Sequence, residues 1–314
     1  MMIAHQFPTD KAAHFIAASA SDIDFVSLWN DPWAVPPEAE AILINPLHPD
    51  KARKFDPKPE NWPGNLRWVH LSSTGIDNLP EWIFSVDLVT TSRGAQAEAI
   101  GEYVLAHMLA YEKAIPELWV SRLEDYTGRT VGTLSGKTLG IIGYGYIGAA
   151  VARRAIPFGM KVLALRHSRK LEEGGGVFPS SLEQILKESD HLLVSAPLTD
   201  ATRGLIDDVA FSGMKPGVHL INVGRGAIVD TEALRRAMEK GIVARATLDV
   251  VHPDPPPSGH WLYRHPGVRL TAHVSSCAPV TDQHQSRILL NNIAAYRDAS
   301  LSRMHGVLIS GQNY

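Results

Sequence analysis

The stretch GIIGYGYIG, Gly140 to Gly148, constrains this chain more than any other. It sets Gly143-x-Gly145-x-x-Gly148 directly after an apolar, strand-like run and directly before AAVARRAIPFGM, which reads as a helix. In such a strand–turn–helix unit the first glycine makes the tight turn and the second lets the backbone approach a pyrophosphate. The third allows close packing of helix on strand, and Tyr146 and Ile147 open the helix whose amides face the phosphates. Taken alone, the pattern is equally a plain tight turn, so its surroundings decide.

Those surroundings are regular. From Leu139 onward LGII, KVLAL (Lys161 to Leu165), HLLVS (His191 to Ser195), VHLIN (Val218 to Asn222), ATLDV (Ala246 to Val250) and VRLTA (Val268 to Ala272) alternate with helix-like stretches. That rhythm predicts βαβ units and a parallel sheet, covered on both faces because the strands are almost wholly apolar. Ser180-Ser-Leu-Glu183 reads as a capping box, and Asp230 as the N-cap of TEALRRAMEK. A weaker version of the pattern precedes it, with AILIN (Ala41 to Asn45), LRWVHL (Leu66 to Leu71) and DLVTT (Asp87 to Thr91), and predicts a smaller α/β domain. An amphipathic helix is expected from about Ala95 to Lys113, and another through SRILLNNIAAYRDA. HPDPPPSGH, His252 to His260, is a loop between strands. The fold class is therefore α/β in two domains: residues 99–280 as a doubly wound Rossmann dinucleotide domain, and residues 1–98 with 281–314 as a substrate domain.

In a dinucleotide domain the second strand ordinarily ends on an acid that binds the adenosine ribose of NAD. Here KVLAL runs into Arg166, His167, Ser168, Arg169 and Lys170. An acid would repel a 2′-phosphate, whereas an Arg fork and a Ser hydroxyl bind one with charge-assisted hydrogen bonds. Arg166, Ser168 and Arg169 thus point to NADP, with NADPH preferred over NADH; the alternative is a solvated basic turn. The cluster needs a local reason because the chain as a whole is at −3, with both signs interspersed, which argues against nucleic acid or an anionic membrane as partner.

At 314 residues the chain suits two ordinary cores. A single cysteine, Cys277, permits no internal disulfide, and the start lacks the pattern of a secretion signal, so a reducing, cytoplasmic setting is expected.

Longer motifs now add up. SGKTLGIIGYGYIG, SAPLTDATRGLI, MKPGVHLINVGRGAIVD, TLDVVHPDPPP and VRLTAHVSS stand in that order, preceded by LRWVHLSSTGID and TSRGAQAEAIGEYVLAHML. In these pieces the chain resembles the D-isomer-specific 2-hydroxyacid dehydrogenase family, in particular its NADP-using glyoxylate and hydroxypyruvate reductase-like branch. The resemblance implies a flavodoxin-like substrate domain and hydride-transfer reduction of a small 2-oxo acid. It further implies a homodimer, with the interdomain helix and residues Leu118 to Leu134 in contact.

Roles carry over position by position. Arg225 in NVGRG matches the arginine that grips the 2-oxo acid and polarises its carbonyl; His273 in LTAHVSS matches the acid/base. The carboxylate that orients the histidine is usually Glu, but here Asp254 falls at that place, shorter by one methylene; the alternative is a turn residue among prolines. Asp249 matches an aspartate near the nicotinamide and is equally a strand-end cap, and Ala196 stands where a histidine is common. Further cofactor contacts are implied at Pro197, Thr202, Val223, Gly224 and Ser275. Ser73, Thr74, Gly75 and Ile76 form the turn whose amides would hold the substrate carboxylate, with Gly94 as a second wall.

No metal site is expected: His252, His260 and His265 share a loop but lack paired carboxylates or thiols. Cys277 is expected to be a small packed residue, and the tryptophans to lie in the core or at a subunit contact. Two other functions remain open on the sequence, a dinucleotide-sensing regulator of co-repressor type and a dehydrogenase for a bulkier or phosphorylated 2-hydroxy acid.

Overall fold

The computed structural model describes residues 1–19, 21–45, 58–77, 79–115, 117–166 and 175–308. Contacts divide the chain into two units, Met1–Gln96 with the segment beginning at Ala278, and Ala97–Cys277.

In the first unit, strands β1 (Met2–His5), β2 (Asp24–Ser27), β3 (Ala41–Ile44), β4 (Trp68–Leu71) and β5 (Leu88–Thr91) form one parallel sheet in the order β2-β1-β3-β4-β5. This is the flavodoxin-like order. Strands β3 and β4 are buried at every position, as central strands between two covered faces must be. Helices α1 (Thr9–Ala17) and α7 (Pro279–Arg297) cover one face, where Phe15, Leu289 and Ile293 meet Ile3, Leu43 and Trp68. The opposite face packs Ile42, Val69 and Ile83 against Trp62.

The second unit starts with α2 (Ala97–Glu112) and continues through β6 (Thr138–Ile142), α3 (Tyr146–Ala155), β7 (Lys161–Leu165) and β8 (Val177–Pro179). It goes on with α4 (Leu182–Glu188), β9 (His191–Val194), α5 (Asp208–Ser212), β10 (Val218–Asn222), α6 (Thr231–Glu239), β11 (Val243–Leu248) and β12 (Val268–Leu270). Among the described residues its seven strands, all parallel, take the order β12-β11-β10-β9-β6-β7-β8. Order reverses between β6 and β9, so the crevice at their carboxyl ends is the place where a doubly wound sheet receives a ligand. The predicted two-domain α/β class is thus observed in both sheets.

Helix α2 buries Ile100, Val104 and Met108 against Leu139, Ile141 and Val151, together with α3. Each fully buried aliphatic of this kind contributes roughly 1.5–3 kcal/mol. Asp230 caps α6, its carboxylate accepting from the Glu232 and Ala233 amides, as the sequence predicts. The other cap differs by one position: Ser181, not Ser180, accepts from the Gln184 amide. Ser181-Leu-Glu-Gln184 satisfies the same spacing rule one residue later, and Ser180 instead donates to the Phe178 carbonyl. Among the described residues no helix is long and apolar enough to cross a membrane.

Candidate functional site

The glycine turn is built as its spacing requires. Gly143 has φ +97°, a conformation that L side chains rarely adopt, and a Cβ there would collide with the Ala196 backbone. A Cβ on Gly148 would lie 3.0 Å from Ile141 Cγ2, so the third glycine is the price of seating α3 directly on β6. Gly145 is different: no protein atom lies within 4 Å of where its Cβ would be. It is also the N-cap of α3, and no side chain caps that helix. An uncapped helix N-terminus behind an open glycine backbone fits a pyrophosphate in charge and in space. Ser195 closes the turn from the next strand, donating to the Gly143 carbonyl at 2.9 Å.

Arg166 follows β7 immediately and is half-buried. Ser168 and Arg169, the other residues read as binding a 2′-phosphate, lie outside the described residues.

Parallel strands bring the remaining candidates to one edge. After β9, the Thr202 hydroxyl donates to the Pro197 carbonyl at 2.7 Å and accepts from the Thr199 amide at 2.8 Å, which fixes the SAPLT turn. After β10, Asn222 folds the NVGRG turn: its carbonyl oxygen accepts from the Gly224 amide and its amide donates to the Arg225 carbonyl, both at 3.1 Å. Val223 is buried beside it. Gly226 is required because a Cβ would overlap the Val251 backbone. Arg225 Nη1 donates to the Gly224 carbonyl at 2.9 Å, folding the guanidinium back over its own turn.

After β11 and β12 come Asp249, Asp254 and His273. His273 Nδ1 meets Asp254 Oδ2 at 3.0 Å, so the shorter acid reaches the ring across a loop that carries Pro253 and Pro255 on either side of it. The His273 side chain is 57 % exposed, and its backbone has φ +56°, in the left-handed region. Asp249 is 1 % exposed. Its Oδ1 accepts from Thr271 Oγ1 at 2.7 Å and from the Val274 amide at 2.8 Å, and its Oδ2 from the Ser275 amide at 3.0 Å. Tyr103 on α2 reaches Thr271 Oγ1 at 2.7 Å. Burial pushes the Tyr103 phenol up to about 12, so it stays a donor through the physiological range. Tyr103 and Thr271 escaped the sequence reading; the LTAH motif contains Thr271, but nothing local signals a tyrosine 168 positions away.

In the first unit the turn after β4 is anchored at several points. Ser72 donates its amide to the Ile44 carbonyl, and Gln285 donates to the Ser72 carbonyl at 2.8 Å. The Ser73 hydroxyl donates to the Gly75 carbonyl at 3.0 Å and that of Thr74 to Gln96 Oε1 at 2.9 Å, while Ile76 packs on the core. Gly94, in the turn after β5, has φ +89°.

Two secondary candidates fall out differently. Cys277 is exposed rather than packed, because the turn that follows His273 carries it outward, its amide donating to the Val274 carbonyl. His260 and His265 spend their Nδ1 atoms accepting from the Leu262 and Gly267 amides in local turns. Trp62 and Trp68 are core residues, whereas Trp119 is 76 % exposed.

The model for the D-isomer specific 2-hydroxyacid dehydrogenase NAD-binding domain matches residues 105–275. A glyoxylate reductase of Aeropyrum pernix is 36 % identical over 245 residues, covering 74 % of this chain and 73 % of that protein. One from Thermococcus litoralis is 33 % identical over 293 residues, covering 86 % and 87 %. Among solved structures, a D-isomer specific 2-hydroxyacid dehydrogenase of Xanthobacter autotrophicus in complex with NADPH and MES superposes with a TM-score of 0.79 at 25 % identity, covering 98 % of each chain.

Proposed function

This chain belongs to the D-isomer-specific 2-hydroxyacid dehydrogenases, and on that footing we propose that it reduces glyoxylate or hydroxypyruvate to the D-2-hydroxy acid with NADPH. That it is an oxidoreductase using a nicotinamide dinucleotide follows from the family. The observation that carries the finer reading is the His273–Asp254 hydrogen bond at the carboxyl edge of the sheet that holds the glycine turn. Glyoxylate is favoured by the relatives of that name. NADPH is favoured by Arg166 at the end of β7, with the NADPH complex of the Xanthobacter relative in support.

When bound, the cofactor supplies the hydride. The residues of the chain do the rest. Gly143, Gly145 and Gly148 admit the pyrophosphate to the amides that begin α3, and Arg166 takes the 2′-phosphate. Arg225 holds the carboxylate and carbonyl oxygen of the substrate by paired hydrogen bonds, and in the first unit the turn of Ser73, Thr74, Gly75 and Ile76 offers consecutive amides of the kind that bind a carboxylate. His273, as imidazolium, gives its Nε2 proton to the carbonyl oxygen and is left as the neutral Nδ1–H tautomer, which Asp254 holds. We further assign a homodimer in a reducing, cytoplasmic setting. Trp119, Leu123 and Tyr126 are each more than three-quarters exposed, an apolar series that a second copy would cover. Sedimentation of the purified protein as a monomer would remove that assignment.

The test is the absorbance of reduced nicotinamide with a panel of 2-oxo acids against NADPH and NADH. Consumption with glyoxylate or hydroxypyruvate, faster with NADPH, is expected; none with any acid overturns the enzymatic reading, and equal rates with both cofactors overturn the role of Arg166. Replacing Arg166 by Asp is expected to move preference toward NADH by about tenfold, the worth of one charge-assisted contact.

A further inference from the structure

We propose that Tyr103 and Thr271 are positioning residues for His273, acting through the buried carboxylate of Asp249. The inference deepens the reading of His273 as the acid/base and rests on it.

The direction of every hydrogen bond in the chain is determined. The Thr271 hydroxyl donates its one proton to Asp249 Oδ1. Its lone pairs are then what faces Tyr103, and the phenol donates to them. The Val274 and Ser275 amides, which follow His273 in the chain, donate one to each oxygen of the same carboxylate. The His273 amide donates to the Asp249 main-chain carbonyl at 3.1 Å. Three consecutive amides therefore close on a single residue, and the main chain between them is bent into the left-handed region at His273.

That bend decides where the imidazole points. The ring is 57 % exposed, and the one side-chain hydrogen bond shown for it, to Asp254, comes from an acid that is itself 40 % exposed. Packing does not aim the ring, so its direction is set by the Cα–Cβ bond, and that by the backbone that Asp249 grips. Asp249 in turn lacks any cation in hydrogen-bond contact among the described residues. Its side-chain rotation is held by what donates to it, and the donor outside the amide loop is Thr271, itself oriented by Tyr103 from α2. The link ties the loop to a helix whose Ile100, Val104 and Met108 are locked in the core. None of the atoms of Tyr103 or Thr271 has to touch substrate for this to matter, because a small rotation at the root of His273 displaces Nε2 at its tip.

The experiment replaces Thr271 by Val, which keeps shape and deletes the hydroxyl, with Thr271→Ser and Tyr103→Phe alongside. Thr271→Val is expected to lower kcat about tenfold or more with KM for NADPH unchanged, to alter the pH profile of kcat, and to lower Tm by only a few degrees. Thr271→Ser is expected to restore kcat, and Tyr103→Phe to give a weaker form of the Val phenotype. A readout independent of turnover is the imidazole NMR spectrum of His273 in protein without cofactor, expected to change in Thr271→Val and to return in Thr271→Ser. Parental kcat, pH profile and imidazole signal in Thr271→Val overturn the proposal, as does a Ser variant no better than Val. Should Thr271→Val not fold, Tyr103→Phe with the parental imidazole signal overturns it equally. His273→Ala is measured in parallel: if it keeps full turnover, the acid/base reading fails, and the imidazole signal still decides whether Thr271 and Tyr103 hold the loop.

Discussion

Two polar chains leave α2 in the second unit, one from Tyr103 and one from Glu112, and they use the same parts for different ends. The first passes through the Thr271 hydroxyl to the Asp249 carboxylate and ends on loop amides beside an exposed histidine. The second runs the other way, from the Glu112 carboxylate to His191 Nε2 at 3.1 Å, from His191 Nδ1 to His219 Nδ1 at 3.1 Å, and from His219 Nε2 to the Thr247 hydroxyl at 2.9 Å. One set of donor and acceptor roles satisfies it: His191 donates to Glu112 and accepts from His219, and His219 accepts from Thr247. Burial opposes the ionisation of Glu112, but hydrogen bonds from His191 and Lys137 outweigh it and hold the carboxyl below its ordinary value. Both imidazoles are fully buried and lie in β9 and β10, so this chain fastens strands to a helix. The Tyr103 chain holds a bend in a loop. Equal chemistry is thus spent on cohesion in one place and on aim in the other, and the two uses separate when each is broken.

The largest expected effect is on aim. His273→Ala should lower turnover by about 10²- to 10⁴-fold, the range for a lost general acid, with a parental melting temperature, since the ring is half in solvent. A fall in Tm of the size seen for core variants would show that His273 belongs with the structural chain instead.

Next in size is cohesion. Glu112→Ala removes the acceptor of buried His191 and the partner that the partly exposed Lys137 contacts at 2.8 Å, and should cost about 1–3 kcal/mol in urea unfolding, the penalty for a buried donor left unmatched. Turnover at a temperature where the variant is folded should stay within about twofold, because no main-chain atom near His273 depends on it. Loss of turnover without loss of stability would merge the two chains into one.

Acid distinguishes them further. Burial, first, and then the neighbouring His191, hold the His219 pKa well below 6.5 in the folded protein. Unfolding returns it to about 6.5, so the unfolded chain binds the extra proton, and the stability present above 6.5 is lost as pH falls. The slope is about 1.4 kcal/mol per pH unit for one such group. In the first unit, burial brings His70 to about 3, which adds a parallel loss of about 2 kcal/mol between pH 7 and 5. Urea midpoints from pH 8 to pH 5 should fall for the parent and less steeply for His219→Gln. Equal slopes would show that His219 is charged in the fold.

How far these features can be read from the sequence follows from the range over which they are determined. Local patterns sufficed for the apolar strands: KVLAL and VHLIN are β7 and β10 residue for residue. Strands β1, β2 and β8 went unread. β2 is DFVS, polar at both ends and partly exposed, and β8 is three residues ending in proline, so neither carries the apolar run or alternation that marks a strand. The glycine turn is legible because its geometry is a backbone matter settled within nine residues. The reach of Asp254 to His273 is not, since a methylene can be offset by the loop path, and only coordinates show that 3.0 Å is attained. Both polar chains were invisible for the same reason: Tyr103 and Thr271, or Glu112 and His191, are joined by topology over 168 and 79 positions and share no motif.

The smallest effect gives the closest comparison, because one substitution can be made in both chains. Thr247→Val and Thr271→Val each delete a hydroxyl that sits between two partners or at the end of a line, and each should cost only about 1–2 kcal/mol of stability, the penalty for one buried group left unmatched. In Thr247→Val the orphan is His219 Nε2, an uncharged ring nitrogen inside the sheet, and nothing outside the strands depends on it. In Thr271→Val the orphan is the Tyr103 phenol, and a carboxylate that grips the two amides after His273 loses its only side-chain donor among the described residues. Similar denaturation midpoints with kcat reduced in Thr271→Val alone would separate aim from cohesion at matched energetic cost. A reduced kcat in Thr247→Val would mean that the strands themselves transmit to the edge where His273 stands, and the distinction between the two chains would fall.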